Sequence, residues 1–292
     1  MRRVTTTFLT ILLFLGAATG ARADVLVLIH GYTGSSQSWE ASGVVPALVA
    51  DGWERTGIIT LTPMGVQKIP GPAKGNGKSL YLVDLPSEAP LALQAYHLGM
   101  LLQCLRQHHP QEPVILVGHS VGGVVARLAV VLGRIPGISA LVTIASPHLG
   151  TPLAERALDL TDDQGPMEMI KEFFGGDAYR YLQYSRSLHL DLARPRPGFV
   201  LYWLNLQPHP DIAYVSVIRG TPFALWGDAL VPGPSQDMNQ VPALQGRSAV
   251  VQAGLGHGLE PGDGITLLGI LHTLESAKKG PPPAPEGRQP PT

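Results

Sequence analysis

The 292-residue chain contains one cysteine, Cys104, so no disulfide within the chain can hold it together. Stability must therefore come from burial of a core, which a chain of this length can supply even outside the reducing cytosol. Cys104 stands among Leu101, Leu102 and Leu105 and reads as a buried apolar thiol. Charge is also scarce: 15% of residues are ionic and the formal net charge is −1, a balance that does not suggest nucleic acid or an anionic membrane as partner. Long hydrophobic runs are missing except near the start. There Arg2 and Arg3 precede an apolar stretch, Phe8 to Ala18, and the small-x-small triplet Ala21-Arg22-Ala23. At about 11 residues the stretch is shorter than the roughly 20 that a bilayer requires, so residues 1–23 are expected to be a cleavable export signal. Removing its three arginines turns a balance of 21 basic and 22 acidic residues into an acidic excess of four.

What is abundant is apolar, β-branched sequence broken by glycine. Val25 to Ile29 is continuously apolar, as strands covered on both faces are. Further strands are predicted at 58–61, 80–83, 114–117, 138–145, 199–204, 213–218 and 248–251, and helices at 38–51, 88–109, 126–132 and 264–278. This alternation predicts an α/β domain over residues 24–278, with a mostly parallel sheet and helices on both faces. Residues 63–78 read as a loop. Its Gly77-Lys78-Ser79 imitates the end of a phosphate-binding loop, but Pro72 stands where that pattern needs glycine and a strand follows where a helix should. Residues 150–198 read as a cap or lid insertion, with short helices near 153–160, 166–174 and 177–190 and the aromatics Phe173, Phe174, Tyr179, Tyr181 and Tyr184. Residues 279–292, rich in proline, read as a disordered tail.

The centre of the sequence is PVILVGHSVGGVVARLAVVLG, residues 113–133: a strand, a turn too tight for side chains, and a helix. A serine at such an apex is held out of both elements, so Ser120 reads as a nucleophile. Its hydroxyl needs a base, and the base needs an anion. His257, between glycines after a strand, is the better base. His272 lies inside the last helix and His209 precedes a strand, while His119 and His148 adjoin the turns and read as packing or supporting groups. Asp228, in the turn-rich GDALVP segment after a strand, is the better acid. Asp211 precedes its strand, Asp237 lies deep in a loop, and Asp263 follows the histidine. The backbone N–H groups of Val121 and Tyr32 are placed to receive an oxyanion.

Five segments, His30-Gly31-Tyr32, Gly118 to Gly123, Ser146-Pro147-His148-Leu149-Gly150-Thr151-Pro152, Gly227 to Pro232 and Gly256-His257, together resemble the α/β-hydrolase lipases and esterases. Similarity is greatest to the triacylglycerol-lipase-like and GPI-inositol-deacylase-like branch, in which a Ser-Pro-His-x-Gly turn follows the strand after the nucleophile. The resemblance spans about residues 25 to 275. It implies an exported serine ester hydrolase with Ser120, His257 and Asp228 as triad and the amides of Tyr32 and Val121 as oxyanion hole. It further implies a small-molecule or lipid ester substrate and transient lipid contact through the cap; no cofactor is expected, and although some bacterial lipase relatives bind structural calcium, the sequence has no clear carboxylate cluster and no metal is expected. Related activities on the same groups would be phospholipase, thioesterase or amidase. A non-catalytic binding module would be expected to have lost one of the groups, and none is missing. Compared with larger relatives, the chain expected after removal of residues 1–23 opens directly on the His-Gly strand and lacks their earlier strands, which predicts a minimal sheet.

Overall fold

The computed structural model describes residues 24–73, 77–133, 135–161, 180–220, 227, 228 and 230–278. The export signal, the 166–174 helix, Phe173, Phe174, Tyr179 and the proline-rich tail lie outside the described residues. The first strand, β1 (Val25–Ile29), is followed by α1 (Ser36–Ala41), α2 (Val44–Ala50), β2 (Trp53–Thr62), β3 (Gly65–Pro70), β4 (Lys78–Asp84) and α3 (Leu91–His108). Next come β5 (Val114–His119), α4 (Val121–Gly133), β6 (Ile138–Ile144), α5 (Pro152–Thr161), α6 (Arg186–Leu192) and α7 (Val200–Leu206). The chain ends in β7 (Ala213–Arg219), a short helical turn α8 (Gly233–Gln236), β8 (Ser248–Ala253) and α9 (Pro261–Lys278).

The strands form one sheet in the order β3-β2-β4-β1-β5-β6-β7-β8, parallel except where β3 turns back on β2. Apolar β1 lies between β4 and β5, and its alternate side chains feed two cores. Val25, Val27 and Ile29 pack with α3 and α4, while Leu26 and Leu28 pack with Trp39, Leu48 and Leu271 from α1, α2 and α9. Burial on both faces is what makes such a strand read as an unbroken apolar run.

Five expectations are corrected. The sheet is not minimal: it has eight strands, because residues 53–70 fold as a hairpin on the edge beyond β4. Part of the segment read as loop, 65–70, is strand β3. Its outward residues Gln67, Lys68 and Ile69 are exposed, so it carries no core signature, and Pro70 sits where an edge strand tolerates proline. Lys78 opens β4, pairs with Glu275 and lies 5.3 Å from the Trp53 ring centre. The run at 199–204 is helix rather than strand. Leu201, Leu204 and Asn205 are buried while Tyr202, Trp203 and Leu206 are exposed, a spacing of three and four that only a helix gives. The helix expected at 38–51 is two helices, divided at Gly43, whose φ of 85° is left-handed. Cys104 is half-buried rather than enclosed.

The α4 N-terminus presses on the end of β1. A Cβ added at Gly122 would lie 2.3 Å from the His30 carbonyl oxygen and 2.5 Å from that of Ile29. Neither backbone oxygen can retreat without breaking sheet. Gly122→Ala should therefore cost about 1–3 kcal/mol of stability, read from the urea midpoint. An unchanged midpoint would contradict this close approach.

Candidate active site

Ser120 occupies the turn between β5 and α4 at φ 53°, a left-handed conformation unfavourable for any residue with a Cβ. Its N–H donates to the Ile144 carbonyl over 2.8 Å, which ties the turn to β6. Gly118 is required because a Cβ there would come within 2.4 Å of the Gly123 Cα. Strand and helix thus touch through hydrogen atoms, and the serine is pushed out at the carboxyl end of the sheet.

There the two other sequence-predicted side chains meet it. His257 Nε2 lies 2.8 Å from Ser120 Oγ, and His257 Nδ1 lies 2.8 Å from Asp228 Oδ2. Because the carboxylate accepts, Nδ1 carries the proton and Nε2 faces the hydroxyl with its lone pair. Asp228 is buried, which alone would raise its pKa. The His257 hydrogen bond and charge, with the N–H groups of Val231 and Leu230 on Oδ1, hold it below the ordinary aspartate value instead. None of the competing groups is placed this way. Asp211 is exposed beside Arg247, Asp237 caps Asn239, and His272 faces Asp51 on the surface. His209 Nδ1 donates to the Gln207 carbonyl, and His148 Nε2 is 3.1 Å from Thr143 Oγ1.

Tyr32 and Val121 both line a cavity of about 220 Å³ that includes Ser120 and His257 and is walled by Leu153, Leu192 and Leu230. A more open groove of about 410 Å³ lies on the other side, with Gly34, Ser38, Ser42 and Leu259. The loop bearing Tyr32 is fixed by His30, whose Nδ1 donates to the Gly31 carbonyl while Nε2 accepts from the Leu85 N–H. Burial holds the His30 ring below its ordinary pKa, consistent with that accepting nitrogen. The Tyr32 hydroxyl lies 2.8 Å from Ser185 Oγ at the foot of α6, which joins the loop to the cap. A third cavity, about 600 Å³, lies among Val130, Ile138, Trp203 and Pro210 at the opposite end of the sheet and holds none of these groups.

Sequence reasoning missed the residues that hold Asp228 and His257 in register. Gln236, fully buried on α8, accepts from the Arg219 N–H at 2.7 Å and donates to the carbonyls of Val231 and Arg219. Its Nε2 also lies 3.4 Å from Asp228 Oδ2. The Arg219 guanidinium, wholly buried, donates to both Asp263 oxygens at 2.7 and 2.5 Å and to Glu260 at 2.8 Å, just beyond His257. The available signal was an arginine closing the otherwise uncharged strand Ala213–Arg219. Its partners lie 17 and 44 residues away, out of reach of any local pattern.

Arg219→Met should cost about 3–5 kcal/mol, because it leaves the Asp263 carboxylate buried and unpaired. Arg219→Met/Asp263→Leu should recover part of that loss in urea unfolding. If the double variant is no better than the single one, charge burial is not the cause.

The sequence pattern of the alpha/beta hydrolase fold matches residues 24–180, more than half of the chain. Over 47 residues the chain is 49% identical to a GPI inositol-deacylase of Debaryomyces hansenii; the match takes in 15% of this chain and 5% of that protein, so the chain spans a small part of that relative. Among solved structures it is similar to the lin2722 gene product of Listeria innocua, with a TM-score of 0.55 at 14% identity over 89% of this chain and 96% of that one. It is also similar to the Bacillus licheniformis lipase BlEst2 in its propeptide form, with a TM-score of 0.56 at 14% identity over 87% of this chain and 50% of that one. At such identities these structures speak for the fold alone. With its eight-stranded sheet and matching sequence pattern, the chain belongs to the alpha/beta hydrolase fold family.

Proposed function

We propose that the protein is an exported serine hydrolase that cleaves carboxylic esters through an acyl-enzyme. The observation that carries this reading is the continuous line Ser120 Oγ, His257 Nε2, His257 Nδ1, Asp228 Oδ2, with both contacts at 2.8 Å and cavities on either side. Ser120 attacks the ester carbonyl carbon while His257 Nε2 takes the hydroxyl proton. Asp228 stabilises the imidazolium that forms and keeps its ring in place. The carbonyl oxygen, now negative, is received by the backbone N–H groups of Val121 and Tyr32. As the tetrahedral carbon collapses, His257 gives its proton to the leaving alcohol and the acyl group stays on Ser120. Water then enters, loses a proton to the same nitrogen and attacks the acyl carbon; as the bond to Ser120 Oγ breaks, the acid leaves and His257 returns the proton to Ser120.

The division of the site supports an ester whose two halves differ. The cavity of about 220 Å³ under α5 and α6 is walled chiefly by leucine, alanine, valine and proline and suits an acyl group, while the groove past Ser38 and Ser42 is open and more polar. Tyr181 and Tyr184 on the cap are 38% and 77% exposed, which supports transient contact with a lipid surface. For export, residues 1–23 carry the argument, and the N-terminal sequence of protein recovered outside the cytoplasm should begin at Asp24.

The test is fluorophosphonate labelling with peptide mapping, followed by hydrolysis of p-nitrophenyl esters of increasing acyl length. An adduct on Ser120 is expected, absent in Ser120→Ala and His257→Ala. Asp228→Asn should lower kcat by about ten-thousandfold, as the equivalent change does in serine proteases. Full esterase activity in Ser120→Ala would sink the assignment.

A further inference from the structure

We propose that His119 is a positioning residue for the reaction: it clamps the backbone of the base to the strand that carries the nucleophile. The inference rests on Ser120 and His257 acting as nucleophile and base. His119 is the last residue of β5, and its ring Nε2 lies 2.8 Å from the backbone carbonyl oxygen of His257, 138 residues away in sequence. A carbonyl only accepts, so His119 Nε2 is the donor and its proton is fixed there.

The loop from Gly254 to Glu260 has reason to need such a clamp. Gly254, Gly256 and Gly258 give it wide backbone freedom, and Leu255 is 68% exposed and contributes little packing. Its ends are held, at one side by the Gly220 N–H on the Gly254 carbonyl at 2.9 Å and at the other by Arg219 on Glu260 at 2.8 Å. His257 stands between those anchors. The His119 hydrogen bond grips its main chain, and the two side-chain contacts grip its ring.

The clamp is itself held. The His119 ring meets the buried indole of Trp39 edge-on, with centres 6.4 Å apart and planes at 81°. Its centre is 5.3 Å from that of His257. Burial, more than any neighbouring charge, pushes its pKa down to about 4. The ring is therefore neutral at neutral pH, and His257 can take the serine proton without a second cation beside it. Since His119 and Ser120 are consecutive, the distance from Ser120 Oγ to His257 Nε2 is set across one short closed circuit: Ser120, His119, the His257 carbonyl and the His257 ring. A displacement of about 1 Å in such a geometry costs on the order of a hundredfold in rate.

Three variants read this out. Phe keeps the ring against Trp39 and removes the donor, Asn keeps an amide too short to reach the carbonyl, and Gln places its amide nitrogen close to where the imidazole Nε2 stood. With p-nitrophenyl acetate, His119→Phe and His119→Asn should lose about ten- to a hundredfold in kcat with KM unchanged within about twofold. His119→Gln should stay within about threefold of the parent. Hydrogen exchange of the peptide spanning 254–259 should be about tenfold faster in the Phe and Asn variants and near parental in Gln. Should His119→Phe not fold, the Asn and Gln pair decides the matter.

Parental kcat and exchange in His119→Asn would overturn the clamp. So would a Gln variant as slow as Asn, which would mean that ring shape, not the donated hydrogen bond, is what counts. If the parent protein neither hydrolyses esters nor takes up fluorophosphonate, the catalytic reading fails. The exchange data then still judge the tether by themselves: faster exchange in Asn but not Gln supports it, and equal exchange in all forms overturns it.

Discussion

Everything in this molecule that bears on chemistry depends on the contact between α4 and the ends of β1 and β5. At Gly118 and Gly122, a Cβ would fall within 2.4 and 2.3 Å of backbone atoms, so strand and helix meet as closely as backbones can, and at Gly123 it would fall 2.1 Å from Ser146 Oγ. That closeness forces Ser120 into a left-handed backbone, and the strain is held by the sheet on both sides. The Ser120 hydroxyl is thus fixed by the least deformable part of the fold, while His257 and Asp228 arrive on loops.

Loops are adaptable, and the structure removes that freedom with buried polar groups rather than disulfides. Arg219 and Gln236 sit between the loops that bring Asp228 and His257, each bonded to parts of both the sheet and the loop region. Their burial makes each hydrogen bond costly to lose, because a stranded donor or carboxylate cannot turn to water. A similar arrangement braces the other side. Asn205 on α7 accepts from Arg127 and donates to the His148 carbonyl, and Ser235 bonds the Leu149 N–H and the Gly150 carbonyl. The Ser146–Pro152 turn, recognisable in the sequence as a motif, is therefore a junction between α4, α7 and α8.

Legibility followed burial. Strands β1, β5 and β6 are readable because both their faces are largely covered, so their sequences are mostly apolar. Strand β3 was hidden because it lies at an edge, half in solvent, with proline at its end. The α7 sequence suits a strand equally well, because a run of seven mostly apolar residues satisfies either period. Only contact with the core showed that Leu201, Leu204 and Asn205 share one face. Cys104 was placed too deep, since its helix turns only part of that position inward.

By itself the sequence determined the tight turn around Ser120, the order of an acid then a histidine after it, and the α/β alternation. These are local matters of glycine spacing, apolar runs and turn residues. Turn residues and position after a strand already favour Asp228 over Asp211, Asp237 and Asp263, but only the tertiary structure brings it to His257 and gives Asp263 to Arg219 instead. The same is true of Gln236 and His119, whose partners lie elsewhere in the chain. The reason is geometric. A hydrogen bond is settled within about 3 Å, and which distant residues come that close depends on how the parallel strands stack and where their loops emerge, information that no stretch of sequence holds alone.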